Sequence, residues 1–432
     1  MELGASIFVK PNKNMWRATE EFGLERYDFE DEDGSTGIWD GSQFVLTVGQ
    51  SRVGSWWDSV KVLWRYGYHA PTRTKKIVQE MIDRFNTLYL PSFFAPFGTI
   101  GEVSRMLGWL DLTAQTGAEY LDAQGINRLW TREMIEAATR VNYGQNVTDI
   151  HALETLASLA ATGASSVKGG NFQIFENFIK RSNATTHLNT TVSSISRDAS
   201  TSLWTVKSTH ASSVIPETKL YRAVILAAPF HQTGIKFSSP SLAEVPEQPY
   251  VNLHVTLLST TSLSPNPEYF GLPKGSVVPS MVLTTWEGAR NGGRAPEFNS
   301  LSYHGKVKRR DGEPREVEEH LVKIFSQKKI EDEWLQNMFN GQVGWVYRKV
   351  FQAYPVLPPT TSFPPIKLDA GLYYVNAFEP MISTMETETI SSRNAVQLFF
   401  QDTFNLPICN YNSSTQPTEA SWRETDVLGW DC

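Results

Sequence analysis

Cysteine is nearly absent from this 432-residue chain: there are two, Cys409 and Cys432, both close to the end. That excludes a disulfide scaffold and leaves two options, one bridge closing the polar tail or a pair of unpaired thiols. Eight histidines occur, but none stands in an H-E-x-x-H or similar ligand spacing, so no metal site is expected. There is no G-x-S-x-G elbow, which removes the α/β-hydrolase route to a nucleophile. No apolar run reaches the length of about 18 residues that a membrane-crossing helix needs. Positive charge is also short. With 39 Lys and Arg against 46 Asp and Glu the net charge is −7, the wrong sign for a nucleic-acid partner. The dinucleotide fingerprint G-x-G-x-x-G is missing too, since no two glycines are separated by a single residue.

What is present is aromatic. The 13 Trp, 15 Tyr and 23 Phe suit either a large apolar pocket or a heavily aromatic core. With 41% apolar and 20% charged residues the composition is that of a globular protein, and the length implies two domains. Four N-x-[ST] sequons, at Asn146, Asn183, Asn189 and Asn412, permit a secreted route. The acidic run Glu30-Asp31-Glu32-Asp33-Gly34 does not make a calcium loop, because Phe29 would fall on the first ligand position; it reads as a solvated turn.

Residues 1–70 read as strand-rich. They open on a small-residue turn, Gly4-Ala5-Ser6, running into an apolar strand Ile7-Phe8-Val9, with no leader-like segment before it. From 72 to 162 the period is helical: Ile77, Val78, Met81, Ile82, Phe85 and Leu88 follow i, i+3/i+4 spacing up to Pro91. Thr99–Glu102 is a capping-box pattern, and a further helix is expected over 149–162, stopped by Gly163. Gly169-Gly170 precedes a short amphipathic helix, and "HLNTTVSSI", "SLWTVKS" and "RAVILAAP" read as strands, the last buried on both faces. Residues 236–350 mix strands with a charged helix near 328–340. An extended Pro-rich connector, 353–365, leads into a strand "GLYYVNAFE" and then a helix. The start of that helix offers unpaired N–H groups and a partial positive end, suited to a phosphate or an electron-rich ring edge.

In order along the chain, "RVNYGQNVTDIHALETL", "GASSVKGGN", "LNTTV", "VILAAP" and "LYYVNAFE…STMETETIS" resemble the prenylcysteine oxidase (prenylcysteine lyase) family, FAD-dependent flavoproteins of the amine-oxidase-like group. The resemblance spans roughly residues 1–400. It implies an α/β fold, a Rossmann-like FAD-binding domain without its first βαβ unit interleaved with an α+β substrate domain. The expected division is 1–15, 163–235 and 366–402 for FAD, 16–162 and 236–365 for substrate, and 403–432 as a tail. In relatives the glycine fingerprint lies in a unit preceding an "ELGAS"-like segment, and this chain resembles them with that unit absent.

The resemblance further implies that Gly4, Ala5 and Ser6 run close to the flavin ring, with Gly169 and Gly170 also on the cofactor. Val192 would meet the adenine and Ala228-Pro229 would end a strand beside the cofactor. Glu379, Ser383, Met385 and Glu386 would hold the ribityl and pyrophosphate side. Two departures stand out: Ala377, where relatives often carry a glycine and a positive φ would strain the turn, and Lys168, where an acid is common. The implied reaction is oxidation of farnesyl- or geranylgeranylcysteine, with O2 as acceptor, to cysteine, an isoprenoid aldehyde and hydrogen peroxide. Lysosome, vacuole or secretory pathway would be its setting. Trp56, Trp57, Phe93, Phe94 and Phe97 are candidates for the prenyl slot, and Asn142 and Tyr143 for the cysteine end or a water. A non-catalytic lipid binder and a flavin amine oxidase are the alternatives.

Overall fold

The computed structural model describes residues 2–28, 34–49, 55–161, 163–198, 200–307, 317–409, 422–423 and 425–432, apart from the side chains of 55–57. The acidic turn at 30–33, the sequon at Asn412 and the side chains of Trp56 and Trp57 therefore lie outside the described residues.

Seven strands make the largest sheet, in the order Val343–Pro355, Tyr250–Thr260, His320–Ser326, Ser300–Lys306, Met281–Thr284, Thr36–Trp39 and Phe44–Val48. Neighbours are antiparallel except Met281–Thr284 beside Thr36–Trp39. Side-chain alternation assigns the two faces. Leu253, Val255, Leu257 and Phe325 form one apolar cluster with Leu3, Phe351 and Tyr354. Leu258, Val322 and Ile324 form the other, covered by Leu335 and Met338 of the helix Asp332–Met338.

The helical layer follows the expected period. Ile77, Val78, Met81 and Phe85 of His69–Asn86 are all buried, a stripe facing the main core. Thr99 caps Ile100–Met106 by accepting from the Glu102 N–H at 3.1 Å, while the Glu102 carboxylate reaches back to the Gly98 N–H. The later helix is shorter than 149–162. It runs Ala152–Leu159 because His151 is its N-cap, its Nδ1 accepting from the Glu154 N–H at 3.2 Å.

Three departures from the sequence reading have physical reasons. Residues 1–70 are not mainly strand: Lys13–Glu21 and Ser55–Tyr66 are helices. The first buries Asn14, Met15, Ala18 and Thr19, a stripe too polar to stand out in the sequence. Phe8 makes only a single bridge to Ser165 instead of a full strand. "RAVILAAP" gives the short strand Val224–Leu226 at the edge of a three-stranded sheet, in the order Lys367–Asp369, Leu372–Tyr374, Val224–Leu226. Ile225 is 40% exposed there, because it points to the face opposite Val224 and Leu226 and that face is open to solvent. Thr190–Arg197 and Trp204–His210 lie centrally in a separate four-stranded sheet.

Around these sheets the helix Met385–Phe404 acts as the strut. Capped by Thr384, it ties the amide of Asn394 to both the N–H and the carbonyl of Phe97, and Gln397 to the Phe94 carbonyl. Cys409 and Cys432 are bonded, so of the two options for the tail the closed one holds. No described helix is long and apolar enough to cross a membrane.

Candidate functional site

The expected cofactor residues gather into groups. At the chain's start, Ala5 takes φ +49, an uncommon value for a residue with a Cβ, and the turn it makes is held from outside. The Ala5 carbonyl accepts from the Asn171 amide at 2.9 Å, and Glu2 accepts from the Asn171 N–H at 2.7 Å. Gly170, at φ +123, has no room for a Cβ, which would lie 2.7 Å from the Phe172 ring and 2.9 Å from Glu2. Gly4–Ser6 and Gly169–Gly170 are therefore one structural unit. Gly4 faces the Phe351 ring, and the Ser6 hydroxyl accepts from Lys323 Nζ at 3.4 Å. Burial pulls the Lys323 ammonium down to about 8.

A second group surrounds Glu379. Its carboxylate accepts from the Tyr250 hydroxyl, and the Phe230 N–H following Pro229 donates to the Tyr374 hydroxyl at 3.2 Å. Pro229, Tyr250, Tyr374, Asn376 and Pro380 border one depression. Ala228 is half-buried at its approach. Ser383 links this group to the helical layer through its N–H, 3.3 Å from the Glu154 carboxylate. Against Glu154 lies the hydroxyl of Tyr143, whose ring packs edge-on to Tyr354 of the sheet. Burial pushes the Glu154 carboxyl up to about 7, with Tyr143 and the Ser383 N–H opposing. Burial also raises Glu379, and raises Glu388 well above the usual carboxylate range, with Glu379 adding repulsion to the latter.

The other candidates stand in packed surroundings away from these two groups. Met385 packs beside Phe8 and Met15, and the next residue, Glu386, is buried, accepting from the Asn14 and Met15 N–H groups at 2.9 Å each and from Tyr89. Desolvation takes its carboxyl to about 7. Val192 belongs to the separate four-stranded sheet and is half-buried against the main core. Phe93 and Phe97 are buried core, Phe97 edge-on to Phe378, and Phe94 meets Trp422. The Asn142 amide is committed to the Ser158 carbonyl at 3.1 Å. Ala377 is buried in the 3-10 turn Val375–Phe378 and is not among the residues with positive φ, so the feared strain is absent. Lys168 is exposed and pairs with Glu25.

Sequence reasoning missed Glu154, Tyr250, Asn376, Glu388, Lys323 and Tyr354. Two carried a visible signal: Glu154 is an acid within the apolar run "HALETLASLAA", and Lys323 interrupts the strand "HLVKIFS". Three buried oxygens here, Glu154 Oε1, Asn376 Oδ1 and Glu388 Oε1, have no hydrogen-bond partner among the described residues. Oxygens of this kind, accepting when ionised and able to donate when protonated, suit the hydroxyls of a polyol.

Comparison with known proteins agrees with this architecture. The chain is 30% identical over 411 residues to a farnesylcysteine lyase of Arabidopsis thaliana, covering 92% of this chain and 76% of that protein. It is 28% identical to prenylcysteine oxidase 1 of Mus musculus, covering 92% and 79%. Among solved structures, two redesigned variants of a putrescine oxidase superpose with TM-scores of 0.52 and 0.54 at 11% and 12% identity. They cover 92% and 93% of this chain and 88% of each of theirs, and so share its α/β fold. The family model described as prenylcysteine lyase matches residues 50–406, and with it the chain belongs to the prenylcysteine lyase family.

Proposed function

We propose that this chain is the prenylcysteine-cleaving part of an FAD-dependent thioether oxidase. In the overall reaction a prenylcysteine, O2 and water give cysteine, an isoprenoid aldehyde and hydrogen peroxide. Bound flavin would supply the two-electron oxidation at the carbon next to sulfur. The observation that carries the reading is the set of oxygens Glu154 Oε1, Asn376 Oδ1 and Glu388 Oε1, which have no hydrogen-bond partner among the described residues, in a chain of this family.

In this reading residues 1–15, 163–235 and 366–402 form the cofactor side, and 16–162 and 236–365 the substrate side. Asn376, Glu379 and Glu388 would hold the ribityl hydroxyls. Gly4–Ser6 and Gly169–Gly170 would lie beside the flavin, and Val192 would meet its adenine. Phe351 and Tyr354, packed in the apolar cluster with Leu3, would help to exclude water from the flavin. Near neutral pH Glu154 holds a proton on its carboxyl for much of the time, since its pKa sits at about 7. Tyr143, held against it, orients the cysteine end of the substrate or the attacking water. An oxidising compartment of the secretory pathway belongs to the same reading, supported by the Cys409–Cys432 bond.

The test is to supply the full chain with FAD and farnesylcysteine and to follow peroxide and free cysteine together. Equal release of both, with none from putrescine, is the expected result. Flavin bound with no product from any thioether would sink the oxidase in favour of a lipid-binding relative, and peroxide from the amine alone would point to an amine oxidase.

A further inference from the structure

Residues 59–79 contain five basic side chains, Lys61, Arg65, Arg73, Lys75 and Lys76, and no acid, in a chain of net charge −7. They fold into the end of the helix Ser55–Tyr66 and most of His69–Asn86, with Gly67 at φ +77 between them. One set of side chains turns inward: Tyr66 packs edge-on to Trp130, and Ile77, Val78 and Met81 join the core. The other turns out. Leu63, Trp64 and Tyr68 are 50%, 88% and 68% exposed. An indole left so far in water is unusual, because tryptophan is highly buried on average. Beside it Val48, Val62, Leu63, Tyr68 and Pro71 line an open groove of about 340 Å³. Arg65 and Lys61 bind Glu133 and Asp58, whereas Arg73 and Lys75 are exposed along the neighbouring helix.

We propose that this ridge docks the protein on an anionic lipid surface. Leu63, Trp64 and Tyr68 enter the boundary between headgroups and acyl chains, and Arg73 and Lys75 lie against the lipid phosphates, while Lys76 is paired with Glu80. Tryptophan and tyrosine, part apolar and part polar, settle at that depth, and cations beside them add attraction to negative headgroups. A second copy of the chain is the poorer occupant. A contact between two such ridges would set the exposed Arg73 and Lys75 of one copy against those of the other.

The inference goes beyond the proposed reaction and needs neither flavin nor substrate, so its failure would leave that reading intact. The full chain is sedimented with vesicles of equimolar phosphatidylcholine and phosphatidylserine, and with phosphatidylcholine alone. It is expected to follow the mixed vesicles, less so as salt rises, and the neutral ones weakly. Trp64→Ala should weaken binding to both. Arg73→Glu with Lys75→Glu should weaken binding to the mixed vesicles alone, by roughly tenfold or more. All three side chains are exposed, so the variants should melt with the parent. Wild-type protein left in the supernatant with the mixed vesicles, or pelleting unchanged by Trp64→Ala, would overturn the proposal. So would dimers, formed without lipid, that Trp64→Ala dissolves, which would assign the ridge to a second copy.

Discussion

Glu154 shows how much of a site can rest on one buried carboxyl. It follows an N-cap histidine whose ring is committed on both sides, Nδ1 to the Glu154 N–H and Nε2 to the Pro380 carbonyl at 3.2 Å. Burial pulls His151 down to about 4, so it is neutral in the folded chain, while Glu154 is pushed up to about 7. Between pH 4.5 and 7 the folded chain keeps a proton on Glu154 that the unfolded chain has lost. Stability contributed by this group is therefore whole below the lower value and falls as pH rises through the upper one. His151 acts in the opposite sense, adding stability as pH rises from about 4 to 6.5. Glu154→Gln removes only the first contribution. Urea unfolding should find the variant gaining on the parent by on the order of 3 kcal/mol across the Glu154 window. A difference constant with pH would show that the carboxyl is not perturbed.

At the scale of elements, the strut Met385–Phe404 joins segments far apart in the chain. Its first turn is closed by Thr384, which accepts from the Thr387 N–H at 3.1 Å while the Thr387 hydroxyl accepts back from the Thr384 N–H at 3.0 Å. Thr384→Ala should cost about 1 kcal/mol in chemical unfolding. Because Ser383 and Glu379 hang from that turn, the variant should also bind flavin more weakly. This strut was legible in the sequence, and so was His69–Asn86, whose apolar stripe repeats at helical spacing. Lys13–Glu21 was not, because two of its four buried residues are polar. Nor was the role of Glu386 as an anchor, since its partners Asn14, Met15 and Tyr89 lie 372, 371 and 297 positions away. Gly169–Gly170 could be singled out from the sequence, but their junction with Glu2 and Ala5 exists only in the folded chain. Periodicity reads local structure; which distant backbone a buried carboxylate will meet leaves no periodic trace.

Across the whole molecule, the described strands form several open sheets, and among their edge strands Val224–Leu226 is short and apolar. Val224–Leu226 pairs on one side with Leu372–Tyr374, and Ile225 is 40% exposed. An apolar edge of this kind templates pairing between chains. The chain should therefore self-associate as concentration rises, and Ile225→Lys should raise its soluble, monodisperse fraction in light scattering while leaving the melting temperature nearly unchanged. A parent protein already monodisperse at high concentration would contradict this.

The bonded tail has its own consequence. Arg423 stands between Cys409 and Cys432, with its side chain 78% exposed. Trypsin cutting after it frees nothing: the piece ending in Cys432 stays tethered, with Trp430 still donating to Asn14 at 3.2 Å and Asp431 still paired with Arg17. Nicked and intact protein would therefore run together on a non-reducing gel, and the missing end would be revealed only when a thiol reductant is added.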